Sequence, residues 1–190
     1  SRAMAADTAK ALGCPVEQVL VSSTGVIGLL LDAEKVRHGV TLAAGALNRD
    51  AHGAAAEAIM TPDPSPKETA VRVSTPGGVF HIGGMAKGSG MIEPNMATML
   101  GFLTTDAAVE PALLQRAVRD ACADTFNAIT VDGETSTNDM VVLLAGGRSG
   151  VQIGADAYPT FVEALRTVCL ELALAIVRGG EGATKLIGIT

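Results

Sequence analysis

Apolar and polar positions along this chain switch between a helical period and strict alternation, and the switches mark its elements. The opening SRAMAADTAKALG reads as an alanine-rich helix, stopped at Gly13 with Pro15 just beyond. Residues 19–21 read as a short buried-type strand running into Ser22-Ser-Thr-Gly-Val-Ile-Gly28. From about residue 49 to 60 the spacing predicts a helix with Ala54, Ala55, Ala58 and Ile59 on one face, and Thr61-Pro-Asp-Pro-Ser-Pro66 breaks it. Two alternating runs, 69–74 and 79–84, flank Pro76-Gly-Gly78 and predict strand, tight turn, strand. The apolar run 98–104 has strand length. Pro111 suits a first helical turn, and Leu114, Val118, Cys122 and Phe126 follow it at helical spacing. Residues 129–131 and 140–145 read as strands around the polar loop 132–139. A final helix is predicted over 160–178, with Leu165, Val168, Leu172 and Ile176 inward and Gly179-Gly180 closing it; residues 185–190 read as a strand. Helices and strands mix without strict βαβ order, which predicts an α+β layered sandwich, a mixed sheet packed by helices.

Composition narrows this picture. At 190 residues the chain suits a single domain, 1–190, and both ends read as cut rather than finished, so a piece of a longer precursor is expected. Only 3% of residues are aromatic against 48% hydrophobic, so the core must be aliphatic and alanine-rich. The formal charge of −6 with scattered Lys and Arg lacks the basic stripe of a nucleic-acid binder or a polybasic membrane patch. Small-molecule substrates fit better, with no nucleic acid or membrane partner. Cys14, Cys122 and Cys169 are widely spaced, which fits reduced thiols of a cytoplasmic protein and gives neither a disulfide framework nor a zinc site.

Most of the candidate chemical motifs fail on spacing. Gly83-Gly-Met-Ala-Lys-Gly-Ser-Gly90 fails as a phosphate loop, because Lys87 is followed by Gly88 and the next segment bears a proline rather than opening a helix. Asp132, Glu134 and Asp139 do not match calcium-loop spacing and have no histidine nearby, so a hydrogen-bonded turn is expected and no metal. His38, His52 and His81 stand apart along the chain and assemble no Ser-His-Asp arrangement. By composition alone, Thr98 is a strand threonine after a proline turn.

The segment KGSGMIEPNMATMLGFLTTDA, residues 87–107, resembles the self-cleavage region of the ornithine acetyltransferase (glutamate N-acetyltransferase) family of arginine biosynthesis. SSTGVIG at 22–28, EAIMT at 57–61, GGMAKG at 83–88, FNAITVDGETSTND at 126–139 and GGEGATK at 179–185 resemble further family segments, in family order. The likeness implies an αββα architecture of the N-terminal-nucleophile type. It also implies a cut at Ala97–Thr98. Residues 1–97 would then form an α-chain-like piece and residues 98–190 a β-chain-like piece, assembled as an α/β heterotetramer.

The implied activity is a self-processing acetyltransferase that moves acetyl from N2-acetylornithine to glutamate by ping-pong transfer through an acetyl-Thr98 ester. The freed α-amino group of Thr98 suits a general base near neutral pH. Thr24 and Gly25 carry over as the oxyanion hole, and Thr61, Lys87, Thr98 and Glu181 as substrate contacts. No cofactor is implied, although acetyl-CoA is the donor for bifunctional members. Two other readings stand beside it: an N-terminal-threonine hydrolase or aminopeptidase of related fold, and an inactive fragment without a complete substrate pocket. One departure concerns the site directly. Where the family places a second threonine, this chain has Pro62, which restrains Thr61 to extended geometry.

Overall fold

A computed structural model of the chain describes residues 1–93 and 99–189. By internal contacts these group into two compact units, Ser1–His52 and Gly53–Thr190.

The first unit holds two packed helices, α1 (Arg2–Leu12) and α2 (Ala33–Gly45). Gly13 closes α1 in the left-handed conformation, as its position predicts. No helix is expected at α2 from the apolar pattern, yet Asp32 caps it, accepting from the N–H groups of Glu34 and Lys35 at 3.0 and 3.1 Å. Between the helices, a 3-10 turn at Val16–Gln18 precedes backbone that is extended at Val19. The strand expected at 19–21 is not formed: among the described residues no strand pairs with it to complete a ladder. A short helix, α3 (His52–Ala58), opens at the boundary with the second unit and is shorter than its predicted span.

The second unit is built on a four-stranded mixed sheet. Its strands are β1 (Lys67–Thr75), β2 (Gly78–Lys87), β3 (Leu100–Thr105) and β5 (Met140–Ala145), in the order β1-β2-β3-β5. The predicted hairpin is present, with Lys67 opposite Ala86 and Thr75 opposite Gly78. β3 runs antiparallel to β2 and parallel to β5. Two-residue strands β4 (Ala108–Val109) and β6 (Gln152–Ile153) form a small parallel pair.

Helices α4 (Pro111–Cys122) and α5 (Tyr158–Arg178) pack on this framework, α5 against β1 and β2 and α4 against β5. Phe161, Leu165, Val168, Leu172 and Ile176 recur at helical spacing and are all fully buried against Phe80, Ile82 and Leu103 of the sheet. The Phe80 and Phe161 rings meet at 5.8 Å between centroids. A mixed sheet with helices on it is the α+β arrangement expected, and one helix layer on one sheet is the αβ half of an αββα sandwich.

Alternation along the strands assigns the two faces of the sheet. Phe80, Ile82, Gly84 and Ala86 of β2 share the helix-covered face with Leu103 and Leu143. His81, Gly83, Met85 and Lys87 point to the other face, with Phe102 and Leu144. Two further strands expected from the sequence are not formed among the described residues. Residues 129–131 spend their hydrogen bonds on the 91–93 segment, and 185–189 lie exposed without a ladder partner.

Candidate active site

The last residue of β2, Lys87, is 2% exposed, and the chain beyond it turns through Gly88, Ser89 and Gly90. Each step of this turn is held by a group distant in sequence. The Gly88 N–H donates to Asp63 Oδ1 at 2.7 Å. The Glu181 N–H donates to the Ser89 carbonyl at 2.6 Å. Met91 and Ile92 donate to Asp132 at 2.5 and 2.9 Å, and the Ile92 carbonyl accepts from the Val131 N–H and the Thr130 hydroxyl, both at 2.9 Å. Met91 has φ 52°, and no other non-glycine among the described residues has a positive φ. Such a conformation costs about 1–2 kcal/mol and persists where the surroundings impose it, here through Asp132. On the far side of residues 94–98, the Met99 N–H donates to Asp139 Oδ1 at 2.9 Å, and the Met99 carbonyl accepts from Met140.

Charge is concentrated at the start of this turn. Asp63 and Lys67 form a fully buried pair at 2.6 Å, and Asp63 Oδ2 also accepts from the Thr61 N–H at 3.1 Å. Burial alone would raise the Asp63 pKa, but the Lys67 ammonium and the N–H groups of Gly88 and Thr61 hold it below the ordinary carboxylate value. Burial lowers the Lys87 pKa; Lys67 lowers it further, while Asp63 and Asp139 oppose the shift. Asp139 is raised, again chiefly by burial, against the Met99 N–H and Lys87. The Ser89 hydroxyl, two residues beyond Lys87, is buried and has no hydrogen-bond partner among the described residues.

Three of the sequence-predicted contacts thus meet on one stretch of chain. Lys87 lies in it, and Thr61 is tied to Gly88 through Asp63. Glu181, itself exposed, lies over Gly90, where an added Cβ would come 3.1 Å from Glu181 Oε2. Pro62 therefore restrains a threonine whose backbone Asp63 also fixes. Thr24, half-buried, and Gly25, exposed and near-extended at φ 158°, belong to the first unit. Ala97 and Thr98 lie outside the described residues. Asp132, read from sequence as part of a hydrogen-bonded turn, is one: besides Met91 and Ile92 it accepts from Glu134 at 3.2 Å. The glycine-rich stretch is strand as far as Lys87, and the described residues 88–93 behind it form no helix N-terminus to take a phosphate.

A sequence model described as the ArgJ family matches residues 1–190. The chain belongs to the ArgJ family. It is 53% identical to the arginine biosynthesis bifunctional protein ArgJ of Symbiobacterium thermophilum over 189 residues, covering 98% of this chain and 47% of that protein. The protein of the same description from Chlorobium chlorochromatii is 50% identical over 191 residues, 100% of this chain and 44% of the relative. The chain thus spans about half the length of the curated relatives it matches. A crystal structure of the Bacillus halodurans protein shares 47% identity and aligns with 46% of this chain and 43% of its own, with a TM-score of 0.45.

Sequence reasoning missed Asp63 and Lys67 in this ArgJ-family chain. The available signal was an acid and a base four residues apart in a proline-rich loop, Asp63-Pro-Ser-Pro-Lys67, where neither has a helix face to expose it.

Proposed function

We propose that this chain carries the acetyl-transfer chemistry of its family: acetyl moves from N2-acetylornithine to glutamate through an ester on Thr98, after the chain cuts itself at Ala97–Thr98. The observation that carries the reading is the convergence on Lys87–Gly90 of a buried ammonium, the Thr61 backbone and the Glu181 carboxylate, in the stretch that leads to residues 94–98. An amino acid is a zwitterion. A buried ammonium pairs with its carboxylate and a nearby carboxylate with its ammonium, by charge-assisted hydrogen bonds roughly twice as strong as neutral ones.

The chemistry follows from the nucleophile's need for a base. The free α-amine of Thr98 takes the hydroxyl proton as Oγ1 attacks the acetyl carbonyl, and the tetrahedral oxyanion collapses to expel ornithine as the α-ammonium hands that proton to the departing nitrogen. Glutamate's amine then attacks the ester by the same path in reverse. Thr24 and Gly25 are the candidates for stabilising both oxyanions; losing one such donor costs about 10²–10³ in rate. Donors other than acetylornithine, acetyl-CoA among them, would enter at the first half-reaction only.

Intact-mass measurement tests this. Incubated with N2-acetylornithine, the chain should divide at Ala97–Thr98, and only the Thr98 piece should gain an acetyl group, which glutamate then removes. Thr98→Ala should abolish both events. A folded wild-type chain that stays whole and unacetylated would sink the proposal, and loss of the acetyl group to water without acceleration by glutamate would favour a hydrolase.

A further inference from the structure

The geometry points to Asp63 as a positioning residue of this site: its carboxylate locks the Thr61 backbone and the Lys87–Gly88 strand end together and is the shared counter-charge of two buried ammonium groups, Lys67 and Lys87. The inference rests on the reading that Thr61 and Lys87 contact the amino-acid substrate.

Three observations lead to it. Asp63 spans three separate pieces of chain: the loop after α3 through Thr61 N–H, the first residue of β1 through Lys67 Nζ, and the end of β2 through Gly88 N–H. Its side chain is entirely inaccessible, so these bonds act in a medium far less polar than water, where each is stronger and each loss more costly. The charges also balance chiefly through it. Lys67 and Lys87 are 4% and 2% exposed, and the charged groups acting on Lys87 among the described residues are Asp63, Lys67 and Asp139. Asp139 holds its proton more firmly than an ordinary carboxylate, so it is the weaker counter-charge of the two. With Lys67 in direct contact, Asp63 neutralises one ammonium fully and the other in part. That leaves Lys87 with unspent positive charge inside the protein, which the carboxylate of an amino-acid substrate completes. Direct contact with substrate stays with Lys87; Asp63 acts through it.

The test reads Lys87 itself. Lysines labelled with 13C at Cε are titrated by NMR in the full chain, its Asp63→Asn variant and its Lys67→Gln variant, with Lys87→Arg used to assign the signal. In Asp63→Asn, Lys87 should lose its proton at lower pH than in the wild type, because an attractive charge has gone. In Lys67→Gln it should lose the proton at higher pH, because a repulsive charge has gone and Asp63 is left to Lys87 alone. A role limited to holding the fold would not move the two variants in opposite directions. In parallel, the KM for N2-acetylornithine should rise about 10- to 100-fold in Asp63→Asn, with a smaller change in kcat.

Lys87 titrating identically in wild type and folded Asp63→Asn overturns the inference. Should Asp63→Asn fail to fold, Lys67→Gln decides alone, and an unmoved or lowered titration there overturns it equally. Because the titration needs no substrate, a wild-type chain that never takes an acetyl group defeats the acetyl-transfer reading while the Lys87 signal still judges Asp63.

Discussion

The two faces of the four-stranded sheet use neighbouring residues for opposite ends. On the face covered by α4 and α5, Phe80, Ile82 and Leu103 are fully buried against Phe161 and Leu165, and the charge on its strands is confined to Lys67, opposite Ala86 at the end of the sheet. On the other face Phe102 is half-buried and Leu144 is 56% exposed, and the strand that carries Met85 beside them ends in a buried ammonium. Close-packed apolar surface holds the first, while the strand end on the second keeps Lys87 through Asp63 and Asp139. The contrast teaches where stability and chemistry separate in this fold. The largest test compares one phenylalanine from each side. Phe161→Ala should cost about 3–5 kcal/mol by removing a fully buried ring. Phe102→Ala, which removes less area from water, should cost about 1 kcal/mol. Urea unfolding of both variants gives the difference, and equal losses would mean that the second face is as tightly packed as the first.

Two adjacent glycines sharpen the same comparison at smaller cost. At Gly84, on the helix face, an added Cβ would stand 2.4 Å from Leu103 Cδ2, 3.2 Å from Leu172 Cδ1 and 3.3 Å from the Phe102 carbonyl. The leucine ends can yield, the carbonyl cannot, and neither can the strand pairing that fixes both. At Gly83, on the other face, the nearest atom would be Ala70 Cβ at an ordinary 3.5 Å. Gly84→Ala should therefore destabilise by about 1–3 kcal/mol through overpacking. Gly83→Ala should be neutral or stabilising by up to about 1 kcal/mol, through a less flexible unfolded chain. Calorimetric melting of the pair settles it; a Gly83 variant as damaged as its neighbour would refute the assignment of faces.

Legibility in the sequence divides along similar lines. Helix α5 is readable because its buried residues keep strict helical spacing over 21 residues, and the hairpin because Pro76-Gly77 sits between two alternating runs. Helix α2 is harder to read because its stripe is weak: Val36, Val40 and Ala44 keep helical spacing but are only half-buried, Leu42 lies exposed off that stripe, and the Asp32 cap is the clearest mark of its start. The 129–131 segment has the composition of a strand, but Val131 and Thr130 bond to Ile92, so its extended backbone serves the site rather than the sheet. At the site, Lys87 and Glu181 taken singly look like surface charges, and the family likeness rather than any local pattern singles them out. Of the bonds Asp63 makes, the sequence marks only the pairing with Lys67 four residues on; its tie to the Gly88 N–H, twenty-five residues away, leaves no mark in residue types.

The smallest effect separates the two carboxylates near Lys87 by sign. Asp63 has a folded pKa below its ordinary 3.8, so it adds stability that is fully present above 3.8 and is lost as pH falls through the lower folded value. Asp139 has a folded pKa above 3.8, so its contribution is present below 3.8 and is lost as pH rises through the higher folded value. The two slopes occupy adjacent windows and run oppositely, so the chain as a whole should show only a shallow maximum of stability near 3.8 from this pair. Urea midpoints measured across that range in single variants separate them. Asp63→Asn should remove the rise below 3.8, and Asp139→Asn, whose amide oxygen can still accept from Met99, should remove the fall above it. A steeper fall in the Asp139 variant would mean that burial does not dominate there, and that Lys87 is held by two ordinary carboxylates rather than chiefly by Asp63.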